Sequence, residues 1–254
     1  MEPEEYRTNF LLEDSYWWFV GRRKIVKQAL TSWSGTKKFD RILDAGCGTG
    51  KMVEFLSTFG DTYGIELHSE GIEYCRKRAL PFLAEGDISK LPFRDNSFDL
   101  VSCFDVLYHN EVNEAQALDE VYRVCTPKGF LIVTDAAFEF LRSEHDESVH
   151  GVRRYTKRTL CGAIERAGFK VVRTSYWNFF LFPAVALVRF VKNALPRHNE
   201  RPVSNLKPIP QPLNGFLSWI VNAEAQLIRL TLLPFGTSIV LLAQKINRIE
   251  IKKA

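Results

Sequence analysis

The sequence predicts an α/β fold: a seven-stranded, mostly parallel sheet with helices on both faces. Three observations lead there. Between residues 41 and 177, short apolar runs alternate with amphipathic stretches of helical period. Gly46, Gly48 and Gly50 crowd into five positions directly after the first of those runs. Beyond residue 178 the alternation stops, and two apolar stretches precede a last strand-like run.

Taken in order, residues 13–33 place Trp18, Ile25, Ala29 and Trp33 at roughly helical spacing, with Arg22, Arg23, Lys24 and Lys27 among them, which predicts an amphipathic helix with an aromatic lead-in. Strands are expected at 41–45, 62–67, 81–86, 98–104, 129–136 and 170–177. Helices are expected from Lys51, over 69–79, over 114–125, and over 156–169, the last stopping near a glycine. Residues 178–195 are rich in Phe and aliphatic side chains, 197–212 form a polar, Pro-rich linker, and 213–233 return to a helical apolar pattern. A final strand is expected at 236–245, before a basic tail. The implied organisation is one domain made of 1–177 and 234–254, including the helix at 13–33, with 178–233 as a helical insertion before the last strand.

Composition narrows the function classes. With 46% hydrophobic and 25% charged residues the chain can build a core. A net charge of +4 suits anionic partners but falls short of a nucleic-acid signature. Cys47, Cys75, Cys103, Cys125 and Cys161 are scattered and odd in number, so neither a metal site nor a disulfide framework is expected, and a reducing compartment is. The acidic start, "MEPEEYRTNF", does not read as a signal peptide.

Glycine admits positive φ and close approach of a ligand to the backbone. A phosphate-binding P-loop would need glycine at Ala45 and Ser or Thr at Met52, and a dinucleotide loop would need glycine at Lys51. What remains is D-x-G-x-G-x-G from Asp44 to Gly50. This resembles motif I of the class I methyltransferases that use S-adenosylmethionine, of the type 11/12-like group, with a Rossmann-like sheet. "YGIEL" (63–67), "EGDISKLPF" (85–93), "FDLVSCFDVLYH" (98–109) and "VCTPKGFLIV" (124–133) resemble the motifs that follow it, in the same order. The resemblance implies S-adenosylmethionine as cofactor. It places Asp44, Gly46, Cys47, Gly48 and Gly50 around the methionine end, Glu66 and Leu67 at the ribose, Asp87 and Ile88 at the adenine, and Phe104 and Asp105 at the fourth-strand tip. Lys128 departs from the paired glycines of many relatives, far from the cofactor loop.

Methyl transfer from a sulfonium is an in-line displacement, so alignment and exclusion of water are the protein's main tasks. An oxygen or nitrogen acceptor also needs a base. The stretch "SEHDESVHGVRRY" (143–155) follows the fifth strand, whose carboxyl-end loops face the crevice. It offers His145, Asp146 and His150 as catalytic candidates, with an imidazole beside a carboxylate, and Arg153 and Arg154 as anion holders. It resembles a segment of bacterial methyltransferases of unsettled substrate. Tyr108 and His109 form a second candidate group.

The expected function is therefore methyl transfer to a small-molecule or lipid- or sugar-linked acceptor. RNA-directed methylation is disfavoured, because the position of the [DNS]-P-P-[YFW] signature reads Phe104–Asp105–Val106–Leu107. A non-catalytic cofactor-binding subunit is the remaining alternative. No nucleic-acid partner is expected, oligomeric state is open, and the expected place is the cytoplasm. The run 179–188 is too short to span a bilayer, but the 178–233 insertion could cover the substrate or rest on the inner face of a membrane, with Arg189, Lys192 and Arg197 at the headgroups.

Overall fold

The strands fall where the apolar runs lie. In the computed structural model, which describes residues 3–36, 38–194 and 206–246, they are β1 (Arg41–Ala45), β2 (Asp61–Glu66), β3 (Leu83–Glu85), β4 (Phe98–Phe104), β5 (Cys125–Ala136), β6 (Phe169–Trp177) and β7 (Ser238–Lys245). They form one sheet in the order β3-β2-β1-β4-β5-β7-β6, with β7 antiparallel to both its neighbours and the others parallel. The helices are α1 (Pro3–Leu12), α2 (Trp17–Trp33), α3 (Lys51–Leu56), α4 (Ser69–Lys77), α5 (Glu114–Val124), α6 (Glu144–Ser148), α7 (Lys157–Arg166), α8 (Phe182–Ala194) and α9 (Gln211–Leu227).

Two cores result, one on each face. Leu118, Val121, Leu160 and Ile164 of α5 and α7 pack with Leu43, Val101, Leu131 and Leu241. Ile25, Ala29, Leu56, Val221 and Ile228 pack with Ile42, Leu100, Ile132 and Val240 from the opposite side. Neighbouring residues of one strand thus feed opposite cores, as the pleat requires. The central strands read as nearly continuous apolar runs because both faces are covered.

The N-terminal region differs from the single helix expected over 13–33. It forms two helices, and α2 begins at Trp17. Arg23 holds the break: its guanidinium donates to the carbonyls of Glu13 (2.6 Å) and Asp14 (3.1 Å), satisfying carbonyls at the end of α1. Asn214 of α9 pins the connection, accepting from the Trp17 N–H and donating to the Ser15 carbonyl, both at 2.8 Å.

The two halves of the 178–233 segment behave differently. The face of α9 carrying Val221, Glu224 and Ala225 is buried. A Cβ on Gly21 would stand 2.6 Å from Val221 Cγ1, so glycine there permits the close crossing of α2 and α9. Glu224, which interrupts the apolar pattern, is wholly buried and accepts from the Phe179 N–H at 2.9 Å. Helix α8 touches the rest mainly through Phe182, in a ring cluster with Phe138, Phe140 and Phe235. Its Leu187, Val188, Phe190 and Val191 face solvent, Phe190 at 74% exposure. Among the described residues, no helix is long and apolar enough to cross a membrane. Arg197, most of the expected linker and nearly all of the basic tail lie outside the described residues.

Candidate functional site

Strand order reverses between β1 and β4, and ligands bind open α/β sheets beyond the strand ends at such a point. A cavity of about 170 Å³ lies there. Asp44, Gly46, Cys47, Gly48, Glu66, Leu67, Asp87, Ile88, Phe104 and Asp105 all line it. Of the cofactor set expected from the sequence, Gly50 alone stays out, and serves as the N-cap of α3.

Gly48 sits at φ +56°, and a Cβ there would meet nothing within 4 Å, so bare backbone faces open space. Its N–H donates to Glu66 Oε2 at 2.8 Å, which ties the loop to the tip of β2. Asp44 is nearly fully buried at the end of β1. One oxygen accepts from the Ser102 hydroxyl across the β1–β4 pair at 2.7 Å; Oδ2 is buried without a partner. Burial pushes this carboxyl up to about 7. Asp87 caps a short 3-10 turn, accepting from the Ser89 N–H at 2.7 Å, and is exposed.

Six cavity-lining residues come from the N-terminal region, and Tyr6, Glu13 and Arg22 among them tie it to the site. The Tyr6 hydroxyl donates to Glu66 Oε1 at 2.9 Å. Glu13, buried, accepts from Thr49 in the glycine loop at 2.6 Å and pairs with Arg78 at 2.7 Å. Burial raises the Glu13 carboxyl, against the Thr49 and Arg78 bonds. Arg22 meets Asp105 Oδ2 at 2.5 Å and lies over the Trp18 ring at 5.0 Å, with its Nε buried and unpartnered. It is thus held inside the site rather than solvated.

A smaller cavity of about 110 Å³ adjoins the first and shares Trp18, Asp105, Tyr108, His145 and Val149 with it. Asp146, Arg154 and Arg189 complete its charged lining. His145 is therefore at the junction. Burial lowers its imidazole to about 4, and Nδ1 has no partner. The expected imidazole–carboxylate pair does not form. Asp146 is taken by Arg154 (Nε 2.7 Å, Nη2 3.0 Å) and by the Ser143 N–H at 2.8 Å in a capping box. Burial raises that carboxyl, but the Arg154 bonds outweigh it and hold it low. His150, at φ +55°, lines neither cavity. Tyr108 and His109 line the main cavity with rings stacked at 4.5 Å, and burial pushes His109 down to about 4.

Arg153 faces Val112 and Glu114 instead of the cavity. The second guanidinium beside Arg154 is Arg189, which the sequence placed among headgroup contacts. It turns inward and donates to the Leu141 carbonyl. Tyr6, Glu13 and inward-facing Arg189 gave no sequence signal, because each meets its partners far along the chain.

A seven-stranded sheet with one antiparallel strand and a glycine loop under a carboxylate-lined crevice defines a class I methyltransferase fold. Residues 43–133 match the methyltransferase domain family. The chain is 32% identical over 130 residues to the chloroplastic 2-phytyl-1,4-beta-naphthoquinone methyltransferase of Arabidopsis thaliana, covering 46% of this chain and 49% of that one. It is 40% identical over 103 residues to the fatty-acid O-methyltransferase of Mycolicibacterium smegmatis, covering 38% and 37%. The solved complex of the Haloferax volcanii Trm112 methyltransferase activator with a methyltransferase matches at a TM-score of 0.61 and 18% identity, covering 96% of each chain. The chain spans about half the length of the curated relatives it matches. Residues 43–133 carry the likeness to the methyltransferase domain, the fold is that of the class I methyltransferases, and S-adenosylmethionine is the expected cofactor.

Proposed function

We propose that this chain transfers a methyl group from S-adenosylmethionine to a small-molecule or lipid-linked acceptor. One observation carries the reading: Gly48 opens bare backbone onto the same cavity that Glu66, Asp44 and Asp87 line. The donor chemistry fits the cofactor. Glu66 would accept from the two ribose hydroxyls, and Asp87 from the adenine amino group, with Ile88 flanking the ring. The unpartnered oxygen of Asp44 suits the ammonium, and the free Nε of Arg22 suits the carboxylate. When bound, S-adenosylmethionine supplies a methyl group already activated on a sulfonium.

What the chain adds is alignment, dryness and a proton acceptor. Helix α1 and the aromatic start of α2 cover the cleft through Tyr6, Asn9, Trp18 and Phe19. His145 is neutral at physiological pH and stands between the cofactor cavity and the side cavity, so it can take a proton from the acceptor. Calorimetric titration with S-adenosylhomocysteine tests the cofactor half. One-site binding is expected; absence of heat at millimolar ligand would remove the reading.

The acceptor class follows from α8. Its apolar residues 187, 188, 190 and 191 stay in solvent beside Lys192, a pattern that suits the interface of an anionic bilayer. The chain works in the cytoplasm, resting on the inner face of the membrane by this helix while α9 anchors it to the body. The names of the naphthoquinone and fatty-acid methyltransferases above agree with a lipophilic acceptor. Co-sedimentation with vesicles containing phosphatidylglycerol is expected for the whole chain and should be lost in a Phe190→Ser, Val191→Ser double variant. Equal pelleting of both would contradict the membrane role.

A further inference from the structure

The side cavity has an unbalanced charge. Besides the Tyr108 phenol, five ionisable side chains line it: Asp105, His145, Asp146, Arg154 and Arg189. Asp105 is occupied by Arg22 at 2.5 Å. Asp146 is occupied bidentately by Arg154, with both side chains 4% exposed. His145 is neutral. Asp135, at the end of β5, is fully buried with Oδ2 unpartnered, lines neither cavity, and has its carboxyl raised far above the usual range by burial and then Asp105. Arg189 is left. Its guanidinium donates to the Leu141 carbonyl, and no described carboxylate lies within ion-pair distance of it. Burial and the neighbouring Arg154 charge pull it down to about 10, which leaves it cationic at physiological pH.

A partly desolvated cation with no counter-charge is costly, and an oxyanion offers it strong, bidentate bonds. Other donors converge on the same space. Thr237 accepts from Asn178 and so keeps its own O–H free to donate. Ser238 adds a hydroxyl, and His145 Nδ1 is buried without a partner. Trp18, Tyr108 and Val149 supply apolar walls toward the cofactor cavity.

We infer that the side cavity receives an anionic oxygen group of the methyl acceptor, a carboxylate or a phosphate, anchored by Arg189. This rests on the methyltransferase reading and narrows it: the acceptor is an anionic molecule, and α8 serves as a specificity element as well as a surface contact. Arg189 is a binding residue for that group, while Arg154 is the structural cation that neutralises Asp146.

The test uses the whole chain saturated with S-adenosylhomocysteine, titrated with n-octanoate, n-octyl phosphate, inorganic phosphate and n-octanol. Octanoate or octyl phosphate is expected to bind at least about 10-fold tighter than octanol, the scale of one charge-assisted contact. Arg189→Gln should erase most of that preference and Arg189→Lys should keep part of it. Comparing octyl phosphate with inorganic phosphate separates a headgroup on a tail from a free anion. Equal affinity for octanol and the anions, or an unchanged preference in Arg189→Gln, would overturn the inference. Titration of each variant with S-adenosylhomocysteine keeps the two readings apart. If that ligand binds and the anions do not, only the acceptor class fails; if it does not bind, the methyltransferase reading fails.

Discussion

The Tyr6 hydroxyl donates to Glu66 Oε1 at 2.9 Å, joining the first helix to the carboxylate at the tip of β2. That carboxylate also holds the Gly48 N–H at 2.8 Å. One side chain thus links the N-terminal cover, the second strand and the glycine loop. Glu66→Gln keeps the shape but loses the charge that strengthens bonds to ribose hydroxyls. Its dissociation constant for S-adenosylhomocysteine should rise at least about 10-fold. Tyr6→Phe, which leaves the carboxylate intact, should change affinity by less than about 3-fold while α1 exchanges amide hydrogens faster. Calorimetry and hydrogen exchange separate these; an equal loss in both variants would mean that the phenol itself contacts the cofactor.

Glu13 fastens the same cover from its other end. It bonds Thr49 and Arg78, and Arg78 donates to the Thr49 carbonyl at 3.1 Å. Glu13→Ala leaves a buried hydroxyl and a mostly buried guanidinium short of a partner. A loss of about 2–4 kcal/mol is expected in urea unfolding. A loss below about 0.5 kcal/mol would show that the bond is not maintained in solution.

Asp44 should make the cofactor-free protein pH-dependent. Its carboxyl is ionised above about pH 4 in the unfolded chain, but only above about 7 in the fold. The folded state therefore binds the extra proton between these values. Its stabilising contribution is present below pH 4 and is lost as pH rises through 7. Asp44→Asn should raise stability at pH 8, by on the order of 2–3 kcal/mol, and weaken cofactor binding. Chemical unfolding from pH 5 to 8, with and without the substitution, reads the difference in slope. Parallel curves would show that Asp44 is ionised throughout.

His145 is held neutral by burial, with its imidazole lowered to about 4. As a base it is already deprotonated above pH 5, so it should impose no fall in rate between pH 8 and 6. His145→Ala should cut turnover about 100-fold at saturating acceptor. Unchanged turnover would move the role to His109, which lines the same cavity. A rate that declines through pH 6.5 would show an imidazole in water.

The parts of this site that were legible in the sequence are those built within one β–loop–α unit. Gly48 follows its strand directly, Glu66 ends the next strand, and Asp87 begins the turn after the third, so the resemblance to the methyltransferase motifs, each a short local stretch, points to them. The cover was not legible. In α1 the apolar Tyr6, Phe10 and Leu11 sit among charges, and the partner of Tyr6 is 60 positions away. Asp146 misled for a related reason: adjacency to His145 suggested a pair, but on a helical turn consecutive side chains diverge, and Arg154 was there to claim the carboxylate. Glu224 is a lone carboxylate in the apolar stretch 213–233; it is buried and accepts from the Phe179 N–H, a partner 45 positions away. Arg189 lies on an amphipathic helix whose orientation no local pattern sets.

The most direct measurement is calorimetric titration of the whole chain with S-adenosylmethionine, repeated on Gly48→Val. A single site in the range of about 1–100 µM is expected for the natural chain. The valine, whose side chain would stand in the open space over residue 48 at a φ of +56° that it adopts only with strain, should abolish it, and urea unfolding of the variant checks that the fold persists. No binding by the natural chain at millimolar cofactor, or equal binding by the valine variant, would contradict the placement of the cofactor over the glycine loop.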